Sequence, residues 1–247
     1  MTTGVRHIVR FNWPFYAAGM AAVAAAVAFT RRASFDVAAR SVVDLGAALA
    51  TFWVVASLAA SWLVYDLSPL TRWDWVADAL GFRPRAWINV HAGFDQSTPA
   101  LRALFPPSTG RVFDIFDPAE MTEPSIARAR PASLTIAAER VDYRRLPSAA
   151  GCIDAALLLL SAHELRSDAA RSTLFRELAR VLSPGGRVLV AEHLRDWANF
   201  AAYGPGFLHF HSRRTWLRAF RAASLVVERE FPITPFVRVF LLKRGES

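Results

Sequence analysis

The sequence predicts a helical hairpin followed by an α/β domain built on a mostly parallel sheet. Three observations carry that expectation. Residues 11–30 and 45–65 contain no charged side chain. From residue 84 onward, short apolar runs alternate with helical stretches, the pattern of a parallel sheet with crossover helices. A helix stop, Ser183-Pro184-Gly185-Gly186, separates the clearest amphipathic segment from a strand-like run.

The hairpin comes first. The stretch 11–30 (FNWPFYAAGMAAVAAAVAFT) is rich in alanine. A helix of that length spans about 30 Å, close to the thickness of a hydrocarbon core. The stretch 45–65 (LGAALATFWVVASLAASWLVY) is more apolar, and its Trp62 and Tyr65 suit a membrane interface. Residues 1–65 therefore read as a transmembrane or membrane-embedded hairpin, with helices at about 11–30 and 45–65. A secretory signal peptide and a soluble helical hairpin compete with this reading. Arginines flank both stretches, so charge hardly orients them. Residues 66–83 read as an amphipathic linker helix. Ser68 caps it and Pro69 sits in its first turn, while Leu70, Trp73, Val76, Ala77 and Leu80 recur at helical spacing.

Residues 84–247 form the α/β domain. Strands are expected at 86–90, 111–116, 133–137, 153–160, 187–192, 225–230 and 236–243. The helix expected at 167–182 carries Leu174, Leu178, Val181 and Leu182 as its apolar stripe. Pro232 and Pro235 between the last two strands suit a tight antiparallel return.

Composition narrows the partners. The chain has 247 residues, 53% of them apolar, and a formal net charge of +8 carried almost wholly by arginine, Lys243 being its one lysine. Such a balance favours an anionic partner. The arginines are scattered and no nucleic-acid motif is present, so lipid head groups are expected rather than nucleic acid. Cys152 stands alone, which excludes an internal disulfide. No CxxC or HExxH spacing points to a structural or zincin-type metal.

Two linked segments carry a family resemblance. ELARVLSPGGRVLVAEH (177–193) resembles the helix, R-V-L-x-P-G-G, strand passage of class I S-adenosylmethionine-dependent methyltransferases. VDYRRLPSAAGCIDAALLLLSAHEL (141–165) is similar to that family's D-x-x-x-L-P … D-x-V … H-x-L segment. The resemblance covers roughly residues 84–244. It implies a Rossmann-like, mostly parallel seven-stranded sheet with helices on both faces, S-adenosyl-L-methionine as cofactor, and methyl transfer as the activity.

The same resemblance implies site residues. The family's first strand ends in an acid followed by G-x-G-x-G. Here Asn89, His91, Gly93 and Asp95 stand at those places, keeping only the middle glycine. Asn89, His91 and Gly93 are thus expected beside the cofactor. Asp114 or Asp117 is expected to accept the ribose hydroxyls, a task for a group with two acceptor oxygens and no donor. Asp142 would accept from the adenine amino group, with Tyr143 offering its backbone amide. Ser161 would lie near the methionine part. The reading requires an adenosine-shaped slot at the strand tips with one of the two carboxylates pointing into it. The altered glycine turn leaves an alternative, a catalytically inactive, membrane-tethered binding or scaffold protein.

Four of the six histidines lie between residues 163 and 211. His163 and His193 follow the fourth and fifth strands, where such sheets bind their ligands. Histidine suits proton transfer near neutrality. His163, His193 and Asp196 are therefore expected as catalytic residues, and Glu164, Asn199, His209 and His211 as acceptor contacts. The aromatic-rich loop 196–211 is expected to cover the pocket. Two other roles stay open for these histidines. With Glu192 or Asp196 they suit zinc or iron, giving a metal-dependent enzyme. They could equally bond backbone carbonyls and fix loop shape. No metal ligand is assigned at this point.

The expected function is methyl transfer to a small, lipid-soluble acceptor, because a membrane hairpin concentrates such molecules. The expected partners are membrane lipids and that acceptor. The expected location is the cytoplasmic membrane with the domain facing the cytosol, where the cofactor is supplied.

Overall fold

The computed structural model describes residues 3–32, 36–106, 108–132 and 137–245. Along the chain run α1 (Thr3–Arg32), α2 (Val37–Trp62), α3 (Trp75–Leu80), β1 (Ala86–His91), α4 (Thr98–Leu104), β2 (Thr109–Asp114), α5 (Pro124–Ala129), β3 (Glu139–Arg140) and β4 (Ile153–Leu159). Then follow α6 (Asp168–Val181), β5 (Leu182–His193), α7 (Trp197–Tyr203), α8 (Arg213–Arg221), β6 (Leu225–Thr234) and β7 (Val237–Arg244). The chain divides into two units, residues 1–67 with 196–207, and residues 68–195 with 208–247.

In the first unit α1 packs on α2. Helix α1 kinks at Asn12 (φ −114°, ψ 15°), two residues before Pro14, whose ring disrupts the hydrogen-bond ladder. The first amides of α1 have no helical partner. Gly4 and Val5 donate theirs to the Asp66 carboxylate at 2.8 and 2.9 Å. Asp36 caps α2 through the Ala39 amide. Two helical spans, 4–32 and 37–72, are long and apolar enough to cross a membrane by length and composition.

Helix α7 belongs to this first unit. Phe200 meets Trp53 of α2 at 5.6 Å between ring centroids. Gly204 adopts φ +53°, and a Cβ there would come within 2.6 Å of the Trp53 ring. Only glycine fits both conditions. Residues 196–207, the greater part of the loop expected to cover the pocket, pack within this unit against α2.

Residues 66–83 do not form one helix. A π turn (Leu63–Leu67) continues α2, a 3-10 turn (Pro69–Arg72) follows, and α3 starts only at Trp75. Trp73 sits at φ +64°. The Trp75 indole donates to the Leu70 carbonyl at 3.0 Å, so that carbonyl is taken by a side chain. Ser68 caps the 3-10 turn as expected, its hydroxyl accepting from the Leu70 amide.

Among the described residues the sheet has seven strands in the order β3-β2-β1-β4-β5-β7-β6. It is mixed rather than mostly parallel. Strands β3, β2, β1, β4 and β5 pair in parallel, whereas β7 is antiparallel to both β5 and β6. The cause is the short β6–β7 connection, which can only join antiparallel strands. The strand expected at 133–137 falls mostly outside the described residues, and β3 is Glu139–Arg140.

The core explains the apolar runs. Ile88, Val90, Phe113, Leu158, Val188, Val190, Phe240 and Leu242 are fully buried, as strands covered on both faces require. Helix α6 lays Leu174, Phe175, Leu178 and Val181 on the sheet. Phe175 also meets Phe220 of α8 edge to face at 4.9 Å. This framework holds the carboxyl ends of β1, β2, β4 and β5 side by side.

Candidate active site

The turn after β1 is held by its own polar side chains. Asn89 is buried, and its amide reaches Asp95 Oδ1 (3.2 Å), Ser97 Oγ (2.9 Å) and Thr98 Oγ1 (2.9 Å). Asp95 Oδ1 also accepts from the Ser97 and Thr98 amides at the start of α4. Asn89, expected beside the cofactor, is thus a strut for the turn. His91 Nδ1 accepts from the Gly93 amide at 3.0 Å. Gly93 itself adopts φ +113°, which disfavours any side chain.

Strand β2 ends at Asp114, two residues earlier than expected, and this separates the two candidate carboxylates. Asp117 accepts from Ala119 and opens a turn. Asp114 lies beside Gly93, and Arg130, which follows α5, stands between them. The guanidinium pairs with Asp114 at 2.9 Å and lies over the Phe116 ring at 4.1 Å from its centroid. A Cβ on Gly93 would meet the Arg130 Nη1 at 2.3 Å.

This corner is a test of whether the residues suit S-adenosylmethionine. It offers bare backbone at Gly93, a carboxylate at Asp114 and an aromatic face at Phe116. Those are the groups a nucleoside needs: room, an acceptor for two hydroxyls, and a stacking surface. A planar group that bonds the carboxylate and stacks on the ring already lies there. That group is the end of a flexible side chain, so the residues fit the cofactor once Arg130 rotates away.

The other expected cofactor contacts are mixed. Asp142 is exposed after β3 and pairs with Arg144 at 3.2 Å. The Tyr143 ring is buried, its hydroxyl donating to Glu120 at 2.6 Å. Ser161 Oγ donates to the Val90 carbonyl at 2.7 Å, which ties the end of β4 to β1.

The histidines separate into different environments. His163 lies between Glu192 (2.7 Å) and Glu164 (3.5 Å). Burial alone would lower its pKa, but the two carboxylates outweigh that and push it up to about 10. The protonated ring is therefore favoured between the two carboxylates. The ring meets His209 edge-on at 5.1 Å. Burial, then the nearby His163, pushes His209 down to about 4. His193, the last residue of β5, stacks on Phe210 at 4.8 Å. His211 is buried against Arg171 (2.9 Å), and burial pushes it down to about 3, so it serves the core. Asp196 and Asn199 belong to the first unit. Asp196 caps α7 by accepting the Asn199 amide at 2.9 Å, and the Asn199 side chain donates to it at 3.1 Å.

Four residues went unassigned to the site in the sequence reading: Arg130, Glu123, Arg166 and Glu192, the last weighed only as a metal ligand. Glu192 left a signal, a carboxylate inside the apolar run VLVAEH. Arg130 and Glu123 left none, since they reach the site across the fold, and Arg166, three residues after His163, is not distinguished in the sequence from the chain's many other arginines.

The Gly93 turn should be sensitive to acid. Burial lowers the His91 pKa below 6.5. The neutral ring is thus favoured in the folded state. Its contribution is fully present above pH 6.5 and is lost as pH falls toward the folded pKa. His91→Asn keeps an acceptor for Gly93 without titrating. The fall in melting temperature between pH 7.5 and 5.5 should be smaller in that variant, as checked by thermal unfolding.

Comparisons with known proteins add to this geometry. Residues 92–190 match the methyltransferase domain family model. No curated protein matches the sequence. Solved structures share the fold at low identity. A SAM-dependent methyltransferase from Aquifex aeolicus is 16% identical, with a TM-score of 0.53 over 72% of this chain and 93% of that one. The mitomycin 7-O-methyltransferase is 17% identical, with a TM-score of 0.57 over 99% of this chain and 73% of that one. The geranyl diphosphate C-methyltransferase from Streptomyces coelicolor, solved with Mg2+, geranyl diphosphate and S-adenosyl-L-homocysteine, is 16% identical with a TM-score of 0.51, over 69% and 77%.

Proposed function

We propose that this chain, whose residues 92–190 match a methyltransferase domain, is a class I S-adenosylmethionine-dependent methyltransferase acting on a small, lipid-soluble acceptor at a membrane. The family match and the shared fold support the enzyme class and S-adenosyl-L-methionine as the cofactor. One observation carries the reading. Gly93, the Asp114 carboxylate at the end of β2 and the face of Phe116 converge on one side chain, Arg130.

When bound, the cofactor supplies a methyl group on a sulfonium, open to in-line displacement. Gly93 leaves backbone bare for it. Asp114 accepts the ribose hydroxyls once Arg130 has moved aside, and Phe116 gives a stacking face. His163, Glu164 and His209 gather at the same carboxyl edge, where an acceptor enters such a sheet. Holding the two reactants in line does most of the work in such a transfer.

Titration of full-length, detergent-solubilised protein with S-adenosylhomocysteine tests the reading. One binding site is expected by calorimetry, and no heat would overturn it. A second reading, a tethered scaffold without catalysis, draws on Arg130 standing in the slot. The same titration separates the two. Arg130→Ala should raise affinity for S-adenosylhomocysteine. Freeing the carboxylate from a partly buried ion pair is worth about 1 kcal/mol, or roughly fivefold. Weaker binding in this variant would mean that Arg130 holds the ligand rather than blocking it.

The membrane location rests on the two apolar helices and on the aromatic surface they expose, including Trp13, Phe15, Phe29, Phe52 and Trp62. The cytosolic orientation rests on cofactor supply. The acceptor class rests on the hairpin alone. In cells producing the full chain, carbonate washing should leave the protein in the membrane pellet. Release into the supernatant would count against an embedded hairpin.

A further inference from the structure

Beside the cofactor corner, the ends of β4 and β5 build a second arrangement. Glu192 is fully buried. It accepts the Ala162 amide (2.8 Å), the His163 amide (3.2 Å) and the His163 ring at Nδ1 (2.7 Å). Fixing Nδ1 this way turns Nε2 toward Glu164, whose Oε1 is 3.5 Å away. His209 closes the third side, and its own Nδ1 lies 3.3 Å from Glu123. Potential ligand atoms of His163, Glu164 and His209 all lie within 4.8 Å of one another.

Three features point to a cation rather than to a packed polar core. Each imidazole has a carboxylate at its Nδ1, the support that orients metal-bound histidines. Glu164 is only 5% exposed, and its Oε2 has no hydrogen-bond partner among the described residues. Burying a carboxylate oxygen unmatched is costly. Finally, three carboxylates, Glu123, Glu164 and Glu192, lie against the two imidazoles, while Arg166 donates to the His163 and His209 carbonyls. Without an ion, a proton on His163 offsets part of this negative charge; a divalent ion bound at Nε2 would take that proton's place.

We propose that His163 Nε2, a carboxylate oxygen of Glu164 and a ring nitrogen of His209 bind a divalent transition metal, zinc by ligand chemistry, with a further position open. Two imidazoles and one carboxylate make a zinc site of the kind that keeps an exchangeable ligand. Tetrahedral ligands at about 2.1 Å from zinc lie about 3.4 Å apart, so the side chains close in by roughly an ångström as the ion enters. His193 and His211, the other two histidines that suit a metal by ligand type, are not in this set. The site's consequence rests on the methyl-transfer reading, although the site itself does not. A metal at this edge would take a hydroxyl oxygen of the acceptor and lower its pKa. That favours an oxygen acceptor over carbon, nitrogen or sulfur.

The test uses the full-length protein in detergent, stripped with EDTA. Zn2+ is titrated by calorimetry and Co2+ by visible absorption. One equivalent of each is expected, with the d–d bands of a four- or five-coordinate cobalt. Glu164→Gln and His209→Ala should each weaken binding by at least about tenfold. X-ray absorption of the zinc-loaded wild-type protein should show two imidazoles, and this measurement does not depend on how the variants fold. No binding by the wild type, undiminished binding by both variants, or a metal shell without imidazole would each overturn the proposal. None of these measurements contains S-adenosylmethionine, so failure of the methyltransferase reading would leave a different trace.

Discussion

Replacing Glu192 by alanine should lower the melting temperature of the domain by about 10 °C. The carboxylate is wholly buried and accepts two backbone amides and the His163 ring. Removing it strands those donors and leaves His163 with Glu164 alone. Breaking a buried charged pair from one side costs about 3–5 kcal/mol. A domain of this size shifts by roughly 2–4 °C per kcal/mol. Glu192→Gln keeps an acceptor oxygen and loses only the charge, so its shift should be distinctly smaller. Near-UV circular dichroism of the solubilised protein on heating would read both. Equal shifts in the two variants would mean that hydrogen-bond acceptance at Glu192 is not what holds the β4 and β5 ends together.

Asp114→Ala should weaken S-adenosylhomocysteine binding by roughly 100-fold. Two hydrogen bonds from ribose hydroxyls to an ionised carboxylate are worth about 1.5–3 kcal/mol each, less what water supplies in the free state. The substitution also frees Arg130, which could then block the slot on its own. The double variant Asp114→Ala/Arg130→Ala separates these effects. If it stays as weak as Asp114→Ala, the missing carboxylate is the cause. Recovery to wild-type affinity would assign the loss to Arg130 and remove Asp114 from the binding site.

Much of the scaffold was legible from local signals. Helix α6 was expected at 167–182 and occupies Asp168–Val181, because Ser167 caps it and its apolar stripe repeats at helical spacing. Strands β1, β4 and β7 fell within a residue or so of their expected bounds for a similar reason, as short, mostly apolar and largely buried runs. The linker did not, because helical spacing of Leu70, Trp73 and Val76 says nothing about Trp73 turning left-handed. Nor did sequence spacing separate Asp114 from Asp117. That depended on β2 starting at Thr109, in register with Ala86 of β1.

What the sequence determined by itself was therefore whatever depends on neighbours along the chain: the helical spans, the strand candidates, the caps, and the carboxyl-edge positions that follow from alternating strand and helix. The tertiary structure alone decided which distant groups meet. It brought Arg130 onto Asp114 from 16 residues away. It joined Glu192 to His163 across 29 residues. It also packed α7 on α2, with Phe200 against Trp53. Periodicity reports which face of an element is buried, but an ion pair depends on where two elements end in space. That information lies in the packing of the whole chain and in no single stretch of it.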